Sequence, residues 1–254
     1  MTAPPRVQER LDAHLKELRL PGIRHCYPEV TQQAVQETLS YEQYLLELLE
    51  REAEMRTEHR IERWLRDSKL PLEKSLEAFH LGRLPAKVKQ QVAALLEGSF
   101  LDRRENVLAF GNPGSGKTHL LCALCQELVR QERRVLYVTC SLLVQELLIA
   151  KRDLRLASVL KRLGRYEALL IDDLGYVQQS REEMEVLFTL LADRYERGSV
   201  LLTSNLPFSQ WEQIFKDPLT TAAAIDRLVH HSVILELNLP SFRMEAAKQP
   251  RREE

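Results

Sequence analysis

The spacing of apolar residues along the chain changes once, near residue 105. Upstream of that point it has the period of an amphipathic helix. In SYEQYLLELLEREAEMRTEHRIERWLRDSKL, residues 40–70, the positions Tyr41, Tyr44, Leu45, Leu48, Leu49, Ile61, Trp64 and Leu65 recur three or four apart with charges between them. Leu11, Leu15 and Leu18 repeat the spacing near the N-terminus. Ser40, followed three residues later by Gln43, has the pattern of a capping box and predicts where the long helix opens. Pro21-Gly22 and Pro71 punctuate the helices. The first hundred residues hold no run with the character of a strand. An all-helical domain is therefore predicted over 1–75, with a linker and the first helices of the next domain over 76–105.

From Asn106 onward, short apolar runs alternate with helical segments. NVLAF (106–110), RVLYVT (134–139), ALLID (168–172), SVLLTS (199–204) and SVILEL (232–237) are apolar at consecutive positions rather than at every second one. Such strands are buried on both faces, so a parallel sheet flanked by helices is predicted. The fold class is α/β, with the sheet domain over 106–245 and a disordered tail over 246–254.

Composition narrows the setting. The chain has 254 residues and contains no apolar run long enough to cross a bilayer, so no membrane partner is expected. Its N-terminus is charged where a secretory signal would be apolar. Cys26, Cys122, Cys125 and Cys140 have no disulfide or zinc spacing, and Cys122 and Cys125 fall inside a leucine-rich helix as small hydrophobes. A reduced, cytoplasmic protein is expected. The net charge of −1 supplies no global attraction to nucleic acid, so any such binding must rest on a local patch.

The candidate chemistry begins at GNPGSGKTH. Gly111, Gly116, Lys117 and Thr118 satisfy the G-x-x-x-x-G-K-[ST] pattern between a predicted strand and a predicted helix. In such a loop, backbone amides surround a phosphate, the lysine reaches the β- and γ-phosphates, and the hydroxyl ligates Mg²⁺. The nucleotide-binding stretch is Gly111, Asn112, Pro113, Gly114, Ser115, Gly116, Lys117, Thr118 and His119, with ATP and Mg²⁺ as the expected ligands. Mg²⁺ also needs a carboxylate at the end of a neighbouring strand. ALLIDD supplies two, which we assign as Asp172 for the metal, with Thr118, and Asp173 for the attacking water. The strand SVLLTS ends on Thr203 and Ser204, and Asn205 follows at the edge where parallel strands face a ligand. Asn205 is either a water- or γ-phosphate-positioning residue or a simple turn residue before Leu206-Pro207.

The P-loop, LLIDD, LLTSNLPFSQW and DPLTTAAAIDRLVHHSVILEL, in that order, resemble the IstB-type AAA+ ATPases, helpers of insertion-sequence transposition related to the helicase loader DnaC. The N-terminal LKELRLPGI and LSYEQYLLELLEREAEMR extend the resemblance over nearly the whole chain. It implies an AAA+ sheet domain behind a helical N-terminal domain, with little or no C-terminal lid. It further implies ATP hydrolysis at subunit interfaces of a homo-oligomer on DNA, and regulation of a cognate transposase. Asn205 matches the sensor 1 position and Arg227 the arginine finger, while Arg243 matches a possible sensor 2 arginine. Two features depart from the family: Asp173 stands where AAA+ proteins more often carry Glu, and NLPSFR replaces a Gly-Glu-Ser-Tyr-Arg-like string. A helicase loader is the alternative reading.

KRDLRLASVLKRLGR, residues 151–165, holds six basic residues and one acidic. Read as one helix, it puts Lys151, Arg155 and Arg162 on one side and Leu154, Ala157, Leu160 and Leu163 on another. A solvated face is the plain reading. Repeated around an assembly, the stripe would instead add phosphate contacts on duplex DNA through Lys151, Arg152, Arg155, Lys161 and Arg162.

Overall fold

The computed structural model describes residues 5–175, 180–215 and 218–242. These fall into two compact units, Met1–Arg63 and Trp64–Glu254. The first comprises α1 (Pro5–Glu17), α2 (Pro21–Glu37) and most of α3 (Tyr41–Asp67). Leu15, Ile23, Val30 and Leu48 form its core, with Tyr27 and Tyr44 against them. The predicted cap is present: Gln43 N donates to Ser40 Oγ at 3.2 Å and Ser40 N to Gln43 Oε1 at 2.9 Å.

A second cap was not legible. Glu52 on α3, buried among these helices, accepts the amides of Gly22 and Ile23 at 2.7 and 3.0 Å. It thus satisfies donors that the first turn of α2 leaves open. Gly22 is required by this approach, because a Cβ there would stand 2.9 Å from Glu52 Cα. The boundary between the units also differs from the expected residue 75. It lies inside α3, because Trp64 and Leu65 pack onto the core of the second unit.

In the second unit, α4 (Ala86–Leu96) and α5 (Ser99–Asp102) follow the end of α3 and precede the sheet. The sheet consists of β1 (Asn106–Phe110), β2 (Val135–Thr139), β3 (Ala168–Leu174), β4 (Ser199–Ser204) and β5 (Ser232–Glu236). All pairings are parallel and the order is β2-β3-β4-β1-β5. Successive residues point to opposite faces. Leu108, Ile171 and Leu202 pack on one side beneath α7 (Cys140–Arg152) and α9 (Arg181–Arg194). Val107, Leu170 and Leu201 pack on the other, beneath α6 (Lys117–Arg130) and α4. Cys122 and Cys125 are buried in α6, and burial pushes the Cys122 thiol up to about 12. They are core residues.

Three helices complete this unit: α8 (Leu156–Leu163), α10 (Glu212–Phe215) and α11 (Pro218–Val229). Buried Arg194 closes the lower edge of the sheet by donating to the carbonyls of Leu163, Tyr166, Glu167 and Ser199. Among the described residues no helix is long and apolar enough to cross a membrane.

Candidate functional site

The phosphate loop bridges the upper end of β1 and the start of α6. Gly111, Gly114 and Gly116 have φ of 147°, 79° and 96°, a region that side chains disfavour. Space forbids side chains at two of them as well. A Cβ on Gly111 would lie 2.2 Å from Leu237 O, and one on Gly114 would lie 2.1 Å from Ser241 Oγ. Glycine is therefore the residue that this close-packed, left-handed path requires. Lys117 Nζ donates to the carbonyls of Gly111 and Asn112 at 2.8 and 3.0 Å, which holds the ammonium over the loop. Ser115 Oγ is buried and lacks a protein partner.

The two aspartates do not close β3 as expected; the strand continues to Leu174 through a bulge. Ile171 pairs with Leu202 and Leu174 with Ser204, so two residues of β3 oppose Thr203 alone. Asp173 takes φ of 62° and is exposed, whereas Asp172 is buried. One carboxylate therefore faces the loop and its neighbour faces solvent.

Asp172 Oδ1 accepts the hydroxyls of Thr118 at 2.8 Å and Thr203 at 2.5 Å, and Oδ2 accepts Tyr137 at 3.1 Å. Burial, and then the adjacent Asp172 charge, raise the Tyr137 phenol well above its ordinary range, so it remains a donor. Asp173 N donates to Thr203 Oγ1 at 2.9 Å. Thr203 so ties both aspartates to β4.

These groups line a cleft of about 580 Å³, which contains Asp172, Asp173, Asn205 and the loop residues Pro113 to His119. Its remaining wall includes residues not singled out in the sequence, among them Lys74, Phe79, His80, Arg83 and Phe242. Phe79 meets His119 edge-on at 5.2 Å, and His119 Nε2 lies 3.0 Å from Ser75 O. Phe242 N donates to Gly114 O at 3.0 Å, and Arg83 lies over the Phe242 ring at 5.3 Å. No local signal marks these residues, because they reach the loop from both ends of the domain. The donor set fits a nucleotide: a glycine-rich loop with the Lys117 ammonium over it, beside the Thr118 hydroxyl and the Asp172 carboxylate. The oxygen-only group of Thr118 and Asp172 suits a hard cation such as Mg²⁺.

Arg227 lies away from this cleft. It stands in the last turn of α11, where Asn106 Nδ2 at the start of β1 donates to Leu228 O at 3.0 Å. Its guanidinium sits 4.4 Å over Phe188, and Nη1 is buried without a partner. The loop follows β1 and Arg227 adjoins its beginning, about 13 Å apart along the strand at the rise of extended chain. Arg243 and the tail 246–254 fall outside the described residues.

The basic segment is not the single helix expected. It breaks after Arg152, and α8 starts at Leu156. Leu154 lies in the intervening turn with φ of 55° and 94% exposure instead of lining an apolar face. Lys151 pairs with Glu185 at 3.0 Å, Arg155 with Asp153 at 2.5 Å, and Arg162 with Glu146. These partners come largely from other segments, so the local count of charge overstates the patch.

The family model of the IstB-like ATP-binding proteins matches residues 13–250. The chain belongs to that family. An IstB-like relative in Sinorhizobium fredii, named as an insertion sequence ATP-binding protein, is 41% identical over 96% of this chain and 83% of its own. Another in Pseudomonas aeruginosa, named for insertion sequence IS21, is 34% identical over 94% and 90%. The IstB-like sheet domain has the AAA+ fold of solved replication proteins. DnaA of Aquifex aeolicus bound to AMPPCP superposes with a TM-score of 0.56 at 20% identity, covering 73% of this chain and 58% of that one. DnaI gives 0.55 at 23% identity over 66% and 94%, and DnaC gives 0.52 at 17% over 65% and 97%.

Proposed function

We propose that this insertion-sequence ATP-binding protein hydrolyses ATP between adjacent copies of itself on duplex DNA, and through that cycle regulates the transposase of its element. The supporting observation is the separation of Arg227 from the phosphate loop across the length of β1. Within one chain the arginine does not reach the cleft, whereas a neighbouring copy could supply it. Its planar guanidinium fork suits stabilisation of charge on a γ-phosphate.

In this reading the loop amides and Lys117 bind the phosphates, and Thr118 and Asp172 would hold Mg²⁺. The ion, when bound, neutralises phosphate charge and orients the chain of phosphates. Asp173, exposed at the bulge, accepts a proton from the attacking water, and Asn205 orients that water. Lys151, Arg152, Arg155, Lys161 and Arg162 contact DNA phosphates, Lys151, Arg155 and Arg162 by exchanging their carboxylate partners for them.

The relatives' names favour a transposition helper over a helicase loader, although DnaC shares the fold. Complementation tests the interface. Arg227→Ala is expected to bind ATP with ATPase activity lowered about 10³-fold or more. Lys117→Ala is expected to be inactive on its own. Mixing the two restores activity, because one mixed interface pairs an intact loop with an intact Arg227. A flat ATPase assay across mixing ratios, with mixed oligomers confirmed by cross-linking, would overturn the interface reading.

A further inference from the structure

The lower edge of the sheet, remote from the nucleotide cleft, carries a second group of ligating side chains. Glu196 lies in the turn between α9 and β4, and His230 and His231 lie in the turn between α11 and β5. Each contributes one ligand atom, and these atoms fall within 4.8 Å of one another although the two segments are distant in sequence. All three residues are exposed, so an ion reaches them from solvent without opening the fold.

We propose that Glu196, His230 and His231 form a binding site for a zinc-class divalent cation. Two imidazoles and a carboxylate are a nitrogen-rich set suited to Zn²⁺ or Co²⁺, whereas Mg²⁺ prefers oxygen alone. Three protein ligands also leave one coordination position open, as tetrahedral zinc sites with an exchangeable ligand do.

The surroundings support the set from behind. Tyr195 Oη lies 3.1 Å from His230 Nδ1. With Nδ1 engaged by the phenol, Nε2 is the His230 nitrogen left for an ion. This is the outer hydrogen-bond arrangement that orients metal-binding histidines. The Glu196 backbone is fixed independently, because Arg104 donates to its carbonyl and leaves its carboxylate outside that bond.

Charge around the site is mixed. Arg104 and Arg227 oppose a dication, and Glu196, Asp226 and Glu105 offset them, the last interacting electrostatically with His231. The His230 and His231 rings lie 4.2 Å apart, close enough for one ion to meet both.

A bound ion would join the turn after α9 to the turn after α11, three residues beyond Arg227. It would therefore stiffen the end of the helix that carries this arginine.

The test is calorimetric titration of Zn²⁺ alone into the metal-free full-length chain, with Co²⁺ absorption as the geometric readout. One ion per chain is expected, with tetrahedral ligand-field bands for Co²⁺. His230→Ala with His231→Ala is expected to lower affinity at least ~10-fold and abolish the bands, taking as a floor the 10–100-fold losses seen on disturbing metal-site hydrogen bonds. Glu196→Gln, which keeps its shape, is expected to weaken binding in the same direction. His59→Ala on α3 and Asp172→Asn in the nucleotide cleft are expected to leave the titration unchanged. Unaltered affinity in the double histidine variant, with its fold verified by circular dichroism, would overturn the proposal. So would loss of binding in Asp172→Asn, or no stoichiometric binding by the wild-type chain.

Discussion

Thr203 donates its hydroxyl to Asp172 Oδ1 across 2.5 Å, from the strand adjacent to the one that carries the carboxylate. The threonine oxygen also accepts the amide of Asp173, so a single side chain sets the position of both acids at the bulge. Thr203→Val keeps the shape and removes these bonds. A hydrogen bond to a charged group contributes about 1.5–3 kcal/mol, so roughly 10- to 100-fold more Mg²⁺ is expected to be needed for half-maximal ATPase activity. Thr203→Ser is expected to restore the wild-type requirement. A Mg²⁺ titration at saturating ATP measures both, and an unchanged midpoint in Thr203→Val would show that the bond does not orient Asp172.

The two halves of the cleft are expected to fail differently. Lys117→Ala removes the ammonium that meets the phosphates, and ATP affinity measured with a fluorescent nucleotide is expected to fall. Asp173→Asn leaves the loop intact and is expected to bind ATP while turnover falls about 10²–10⁴-fold, the scale of a lost general base. If Asp173→Asn instead loses Mg²⁺-dependent ATP binding, the roles of the two aspartates are reversed.

The turn between α7 and α8 is expected to contact phosphates rather than bases. Lys151→Ala with Arg155→Ala should weaken binding to unrelated duplexes alike. It should also flatten the dependence of log affinity on log salt by about 0.9 for each phosphate that is no longer neutralised. Because Glu185 and Glu146 already pair with Lys151 and Arg162, Glu185→Gln with Glu146→Gln is expected to tighten DNA binding. A salt titration with ATP present reads both variants, and identical slopes throughout would assign the turn to solvent.

Alkaline pH is expected to destabilise the fold through α6. The Cys122 thiol is raised to about 12, mainly by burial, against an ordinary thiol near 8.5. The folded state holds this proton after the unfolded chain has released it. The contribution is thus fully present below pH ~8.5 and is lost as pH rises toward the folded value, at up to about 1.4 kcal/mol per unit. Urea midpoints are expected to fall through this window, and less steeply in Cys122→Ala. An identical pH dependence in that variant would remove Cys122 from the account.

Much of the sheet was legible because its signal is local. Asn106–Phe110 and Ser199–Ser204 were bounded to the residue by consecutive apolar positions, and the loop glycines by a fixed pattern. The features that escaped depend on contacts between distant segments. Phe79 and Phe242 reach the same loop from opposite ends of the domain, and nothing in FHL or SFR indicates that they meet. Arg194 reads as one more charge at the end of a helix, yet it is buried against four carbonyls. Leu154 has the helical spacing of its neighbours, but the chain leaves the helix there, because Leu154 is almost fully exposed and has no core to hold it. The paired aspartates were found, whereas the bulge that separates them depends on Thr203 of another strand.

Strand β1 has a mechanical consequence. It is hydrogen-bonded along both edges and every residue in it is buried, so it has no freedom to bend or slip by itself. The phosphate loop is attached at its upper end, and through Asn106 the Arg227 turn is attached at its lower end. Such a strand has the build of a push-rod: a displacement of the loop would meet no hinge before the opposite edge of the same sheet. The loop and the Arg227 turn therefore share one rigid element within this sheet.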